Sequence, residues 1–264
     1  MQPRVGHRAG SDAVFLAAAV EARRGERILD VGAGVGVAGL CVLAREPHVE
    51  VTAVEIDPEL CALATANGER NGVASQFTVI EANITAPAKL SRAAGLVREG
   101  YDHVIANPPF YAEGAVRAAP ARAKAHVMGP DALQSWVRFL TTMAAPKGTL
   151  TFIHRPESLG ELLRLLDGRF GDIAVLPLFP KEGEPAARVI LQGRKGSRAP
   201  MRLLRGLVLH GPDGAYTAAA ETVLRKGGAL FFGDEKRKGR RPGGKDGSPI
   251  SPEREESSRA RKVR

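Results

Sequence analysis

Short apolar runs along this chain alternate with longer stretches whose apolar residues recur at helical spacing. Arg27 to Val31, Val49 to Val54, Phe77 to Ile80 and His103 to Ala106 read as buried strands, rich in β-branched residues. Gly36 to Ala44 and Pro58 to Asn71 read as the helices between them, with Pro58 suited to a first turn. Further on, Asp131 to Ala144 reads as a helix carrying Leu133, Trp136, Val137 and Leu140 on one face, with Asp131 as its N-cap. Thr149 to Ile153 is strand-like and Ser158 to Leu166 helical. Ile173 to Leu176 and Val189 to Gln192 supply the last core strands, before a strand over Leu203 to His210 and a helix over Tyr216 to Leu224. Strands alternating with helices predict an α/β fold: a doubly wound, mostly parallel seven-stranded sheet with helices on both faces.

The alternation stops near Gly233. Residues 233–264 hold eleven Lys/Arg, six Asp/Glu and no aromatic residue, a net charge of +5 against +9 for all 264 residues, which leaves +4 for residues 1–232. Such a segment buries too little apolar surface to offset its ordering entropy. It is expected to be a disordered basic tail, either solubilising or attracting RNA, attached to one domain over residues 1–232. No run is long and apolar enough to span a membrane, and Met1 to Gly10 lacks the apolar core of a secretory signal. Cys41 and Cys61 lie in apolar helical stretches without a CxxC pair, and the six histidines form no HExxH. The expectation is buried thiols in a reducing cytoplasm and no metal site.

Chemistry enters at Asp30-Val-Gly32-Ala-Gly34-Val-Gly36, between a strand and a helix. Glycines there let the backbone turn tightly and approach a ligand closely. The spacing is GxGxG rather than the dinucleotide GxGxxG, since position 37 is valine. A bare structural turn and a dinucleotide site both remain open on this loop alone. Nineteen residues after Gly36, the next strand ends at Glu55, where a carboxylate can accept hydrogen bonds from ribose hydroxyls. Asp57, before Pro58, reads instead as a helix cap. Together the two features favour a nucleoside ligand. S-adenosylmethionine fits, because its carboxylate can sit near a helix N-terminus without a diphosphate.

The fourth strand runs into Asn107-Pro108-Pro109-Phe110. Two prolines fix the backbone and donate no N–H. The Asn107 side-chain oxygen and the Pro108 carbonyl can then accept both protons of an –NH₂ group, aiming its lone pair at a methyl donor, while Phe110 offers a stacking face. In-line methyl displacement needs positioning more than a strong base.

The pair of motifs resembles the small methyltransferase domain of class I, Rossmann-like fold, and more closely the bacterial tRNA1(Val) adenine-37 N6-methyltransferases. Three stretches carry the closer likeness: Gly6-His-Arg-Ala-Gly10-Ser11-Asp12, Asn107 to Tyr111 with Gly114, and His210-Gly-Pro-Asp213-Gly-Ala-Tyr216-Thr217. The resemblance covers about residues 4–230. It implies that Gly10, Ser11 and Asp12 lie near the methionine end of S-adenosylmethionine, and that Asp30, Gly32, Gly34 and Gly36 form its loop. Glu55 would hold its ribose, Asn83 its adenine edge, and Asn107 would serve both cofactor and target. Asn107, Pro108, Pro109 and Phe110 would hold the target base. Asn83 and Phe110 stand where Asp and Tyr are frequent.

The implied activity is N6-methylation of an adenine in tRNA, by a cytoplasmic monomer without metal. Arg117, Arg122, Lys124, Arg188, Arg194, Lys195 and Arg198 are candidate phosphate contacts or scattered surface charge. Methylation of guanine N2 in ribosomal RNA, of a glutamine amide in a protein, and a non-catalytic RNA-binding module are the competing readings. All three methylation targets present a planar amino group.

Overall fold

The computed structural model describes residues 1–2, 10–86, 94–109 and 132–232. The chain divides into a unit Met1–Phe232 and a segment Gly233–Arg264. The basic tail thus lies outside the described residues, as do Asp131, Phe110, Tyr111, Gly114, Arg117, Arg122 and Lys124.

The predicted alternation is realised in order: α1 (Ser11–Ala18), β1 (Arg27–Val31), α2 (Val37–Arg45), β2 (Glu50–Glu55), α3 (Pro58–Arg70), β3 (Phe77–Glu81), β4 (Tyr101–Ala106), α4 (Ala132–Met143), β5 (Ala144–His154), α5 (Leu159–Leu166), β6 (Phe170–Phe179), β7 (Arg188–Lys195), β8 (Arg202–Leu203), β9 (Leu207–Val208) and α6 (Ala218–Lys226). The strands form one sheet in the order β3-β2-β1-β4-β5-β7-β6-β8, with β9 also paired to β6. β1 to β5 are mutually parallel, and β7 runs antiparallel between β5 and β6. Seven strands make up the body of the sheet, as the apolar runs predict, and two short strands extend it.

The period-2 alternation of each strand feeds two cores. Ile28, Ile105 and Ile153 pack with α1, α2, α3 and α6. Leu29, Val31, Val104, Ala106 and Phe152 pack on the other face with α4 and α5. Parallel strands need both faces covered, which explains their almost wholly apolar sequences. Among the described residues, no helix is long and apolar enough to cross a membrane.

Two elements depart from the expectation. The hydrophobic pattern gives no sign of α1, because Phe15 to Val20 is buried all round and leaves no polar face to mark a period. The strand expected over Leu203 to His210 is broken into β8 and β9. A side chain at Gly206 would collide with the Phe179 ring and the Pro177 carbonyl, so the chain is pressed against β6 there and bends. At the edge of the sheet where β4 and β5 begin, His103 bridges Thr149 Oγ1 at 2.7 Å and Glu26 Oε2 at 2.9 Å, a buried polar cluster remote from the strand ends that carry the motifs.

Candidate active site

In an open parallel sheet, the C-terminal strand ends form the ligand crevice. Here Val31 pairs with Ala106, so Gly32 and Asn107 leave neighbouring strands at the same level. Val31 also pairs with Val54, bringing Glu55 to the next position along. At about 4.8 Å per strand, Glu55 and Asn107 stand roughly 10 Å apart with the glycine loop between them.

The loop folds over β2: the N–H groups of Gly32 and Ala33 both donate to Val54 O, at 2.8 and 3.0 Å. Its glycines have separate reasons. Gly32, Gly34 and Gly36 all have positive φ, at 67°, 57° and 84°. A Cβ on Gly32 would strike the Trp136 indole of α4, and one on Gly36 would come within 2.7 Å of Phe77 Cζ. Packing as well as positive φ therefore requires a glycine at position 36. Only Gly34 faces open space, where an added Cβ would meet no atom within 4 Å. Asn67 of α3 steadies the loop from beneath, donating Nδ2 to Val35 O at 3.0 Å.

Two carboxylates are organised by backbone N–H groups. Glu55 Oε2 accepts from Gly34 N at 2.8 Å, and Oε1 accepts from Ile56 N and Asp57 N at 2.8 and 3.1 Å. A carboxylate has about four acceptor positions, so one remains, on Oε2. Asp30, only 2% exposed, accepts from Gly39 N at 3.0 Å. Burial pushes its carboxyl up to about 7, the Gly39 bond works against that shift, and the charge of Glu55 adds to it. The same negative field reaches Cys61: burial first, then Glu55, Glu81 and Asp57, push its thiol up to about 11. Such a field at the end of β2 suits a cation. Asp57 caps α3 through Glu59 N and Leu60 N, as its place before Pro58 predicts.

The end of β4 is different. Pro108 is buried, Pro109 exposed and Asn107 half-buried. The Oδ1 atom of Asn107 is buried and makes no hydrogen bond within the described residues. Leaving such an acceptor unpaired costs on the order of 1–3 kcal/mol.

The remaining sequence candidates scatter. Gly10 precedes α1 in extended conformation, with open space around it, and Ser11 and Asp12 form the first turn. Asp12 is held at 2.8 Å by Arg188, the first residue of β7. Since Val189 pairs with His154, this ion pair lies at the same edge of the sheet as Asn107. Asn83 is exposed, and its Oδ1 accepts from Thr85 N and Oγ1, closing a local turn. Arg194 pairs across from Thr149, at the opposite edge. There Arg194 donates to Lys147 O, and Lys195 binds Glu99 and the carbonyls of Thr141 and Ala144. Both are separated from the site by the length of the strands, a placement that alternation alone could not reveal. Trp136, which packs on Gly32, and Asn67, which holds Val35 O, were missed because each reads in sequence as an ordinary helix residue. Burial and the nearby Arg188 and Arg155 charges lower the His154 pKa, against a backbone hydrogen bond that raises it.

This strand order, glycine loop and acidic β2 end define a class I methyltransferase, and the cofactor is S-adenosylmethionine. A family model for the methyltransferase small domain matches residues 8–127. The chain belongs to the tRNA1(Val) (adenine(37)-N6)-methyltransferase family. It is 30% identical to the member from Enterobacter sp. (strain 638) over 208 residues, 72% of this chain and 82% of the relative. It is 26% identical over 229 residues to the member from Photorhabdus laumondii, covering 83% and 90% of the two chains. Among solved structures, a predicted O-methyltransferase, protein Atu636 from Agrobacterium tumefaciens, superposes with a TM-score of 0.71 at 30% identity, over 83% of this chain and 98% of that one.

Proposed function

We propose that this enzyme transfers the methyl group of S-adenosylmethionine to N6 of an adenine in tRNA, adenine 37 beside the anticodon, the position named for its relatives. The observation that carries the proposal is the buried, unpartnered Asn107 oxygen at the end of β4. A protein keeps such an atom unsatisfied where a ligand supplies the donor.

The residues fit the cofactor. Gly34 leaves space for a close approach, and Glu55 Oε2 keeps one acceptor position for a ribose hydroxyl. The negative field of Glu55, Asp57 and Glu81 favours a cationic ligand. When bound, S-adenosylmethionine supplies a methyl group on a good leaving group, and no metal is required. Gly10, Ser11 and Asp12 face its methionine end, with the Asp12 charge balanced by Arg188.

On the substrate side, Asn107 Oδ1 accepts one N–H of the adenine amino group and the Pro108 carbonyl the other. The amino lone pair is thereby turned toward the methyl donor. Phe110, outside the described residues, supplies the stacking face. The product ammonium is acidic and loses its proton to water, so no general base is assigned. Arg188 is the phosphate-contacting candidate kept at this edge, and Arg194 and Lys195 are set aside. The enzyme works as a cytoplasmic monomer, completing its site from its own chain.

Asn107→Ala tests this directly. Turnover is expected to fall by roughly 10²-fold, as when one polar partner of a transition state is deleted. Cofactor affinity, measured by calorimetry, stays within about twofold of wild type. Equal loss of both would make Asn107 a structural residue and end the proposal.

A further inference from the structure

A second aromatic feature lies at the same edge of the sheet, outside the machinery described so far. β9 runs parallel to the end of β6, Leu207 beside Leu178 and Val208 beside Phe179. The pairing continues past the strand ends, with Leu209 N donating to Phe179 O and His210 N to Pro180 O. β6 points the same way as β5, because both are antiparallel to β7. His210 therefore emerges at the edge where Asn107 leaves β4.

From there the chain makes a tight, well-fastened turn. His210 and Tyr216 form an isolated antiparallel bridge. Gly211 N donates to Ala215 O, and Gly214 N to Gly211 O. Asp213 Oδ1 accepts from Ala215 N, and Gly214 takes a φ of 80°. The His210 ring is fixed by Nδ1, which donates to Gly214 O at 3.0 Å. Thr217 ties the far side down, donating to Val208 O and capping α6 through Ala220 N. The product of this fastening is a pair of stacked rings, centroids 4.6 Å apart and 26° from parallel. Tyr216 remains 38% exposed, one of six large apolar side chains exposed among the described residues.

A rigid, exposed, stacked pair is a surface on which an unpaired base can stack, since every base has a π-face. We infer that His210 and Tyr216 form a second base-stacking platform, which takes a loop nucleotide of the RNA other than the one being methylated. Four strand spacings separate β4 from β9, roughly 20 Å, the length of about six stacked nucleotides. The platform thus engages the same loop as the site and fixes which of its adenines reaches Asn107. The inference rests on the RNA reading of the function given above.

The test uses the full-length enzyme and a synthetic anticodon stem-loop. Tyr216→Ala should raise KM for the RNA about tenfold, within the range measured for removing one stacking partner. kcat and cofactor affinity should stay within about twofold, and Tyr216→Phe should behave as wild type. An abasic nucleotide placed at each loop position in turn should raise KM for the wild type at one position besides the target. At that position it should add nothing further in Tyr216→Ala. Unchanged KM, or parallel losses in KM, kcat and cofactor affinity, would overturn the platform.

Photocrosslinking of wild-type enzyme to 5-iodouridine-substituted stem-loop guards against a variant that fails to fold. A crosslink at Tyr216 or His210 supports the platform, and crosslinks confined to other residues overturn it. A crosslink with no N6-methyladenosine formed would fault the proposed function while leaving the platform standing. Methylation that is indifferent to Tyr216 would fault the platform alone.

Discussion

The two sides of the crevice solve opposite problems. On the β1–β2 side the two carboxylates and the loop are fastened from inside the protein. Glu55 is held by three N–H groups, Asp30 by one, and the loop carbonyl of Val35 by Asn67. On the β4 side the key atom, Asn107 Oδ1, has no partner among the described residues. The first side is a cradle stabilised before any ligand arrives. The second is an acceptor buried without a partner among the described residues, at a cost that a donor would remove. The function proposed above assigns cofactor binding to the first side and nucleophile positioning to the second.

That separation should appear in stability measurements, where the cradle is sensitive and the β4 end is not. The largest effect is expected at Asp30. Its carboxyl, ordinarily near 3.8, sits at about 7 in the folded chain. The stability it contributes is complete below about 4 and is lost as pH rises through about 7, because folding then requires an ionised carboxylate to be buried. Asp30→Asn does not titrate and keeps an oxygen for Gly39 N. It should match wild type near pH 4 and exceed it by a few kcal/mol at pH 8 in urea unfolding. A difference independent of pH would mean the carboxyl is not perturbed.

Gly32→Ala comes next, at about 3 kcal/mol of destabilisation: positive φ and the Trp136 indole both oppose a methyl group there. Thermal melting would show it with or without cofactor. Glu55→Ala should cost about 2 kcal/mol, since three N–H groups lose their acceptor. It should also weaken cofactor binding roughly tenfold or more, with kcat at saturating cofactor changed far less. Smallest of all, Asn107→Ala should leave unfolding free energy within about 1 kcal/mol of wild type, because relief of the unpaired buried acceptor offsets the packing lost with the side chain. A large loss there would erase the contrast between the two sides.

How much of this was legible beforehand follows from what each residue's role depends on. Strand and helix order was written in periodicity, and the positions of Glu55 at the end of β2 and Asn107 just past β4 were legible because glycine and proline spacing marks backbone geometry locally. The packing reason for a glycine at Gly36 was not legible. That reason is Phe77, a residue forty-one positions away in sequence, whose ring fills the space a side chain would take. Asn83 carried two equal readings, and the local turn with Thr85 took the side-chain oxygen. Arg194 and Lys195 resembled Arg188 in everything sequence can express. Strand direction sent them to the other edge, because a β-strand of eight residues spans roughly 25 Å and its two ends have different neighbours. α1 was invisible because total burial erases amphipathic periodicity.

The central claim is chemical: an exocyclic adenine nitrogen in tRNA receives the methyl group. The most direct measurement incubates the enzyme with labelled S-adenosylmethionine and unmodified tRNA, digests the product to nucleosides and identifies the labelled one by mass spectrometry. The expected product is N6-methyladenosine, mapping next to the anticodon. Label in N2-methylguanosine, or in protein, would contradict the account.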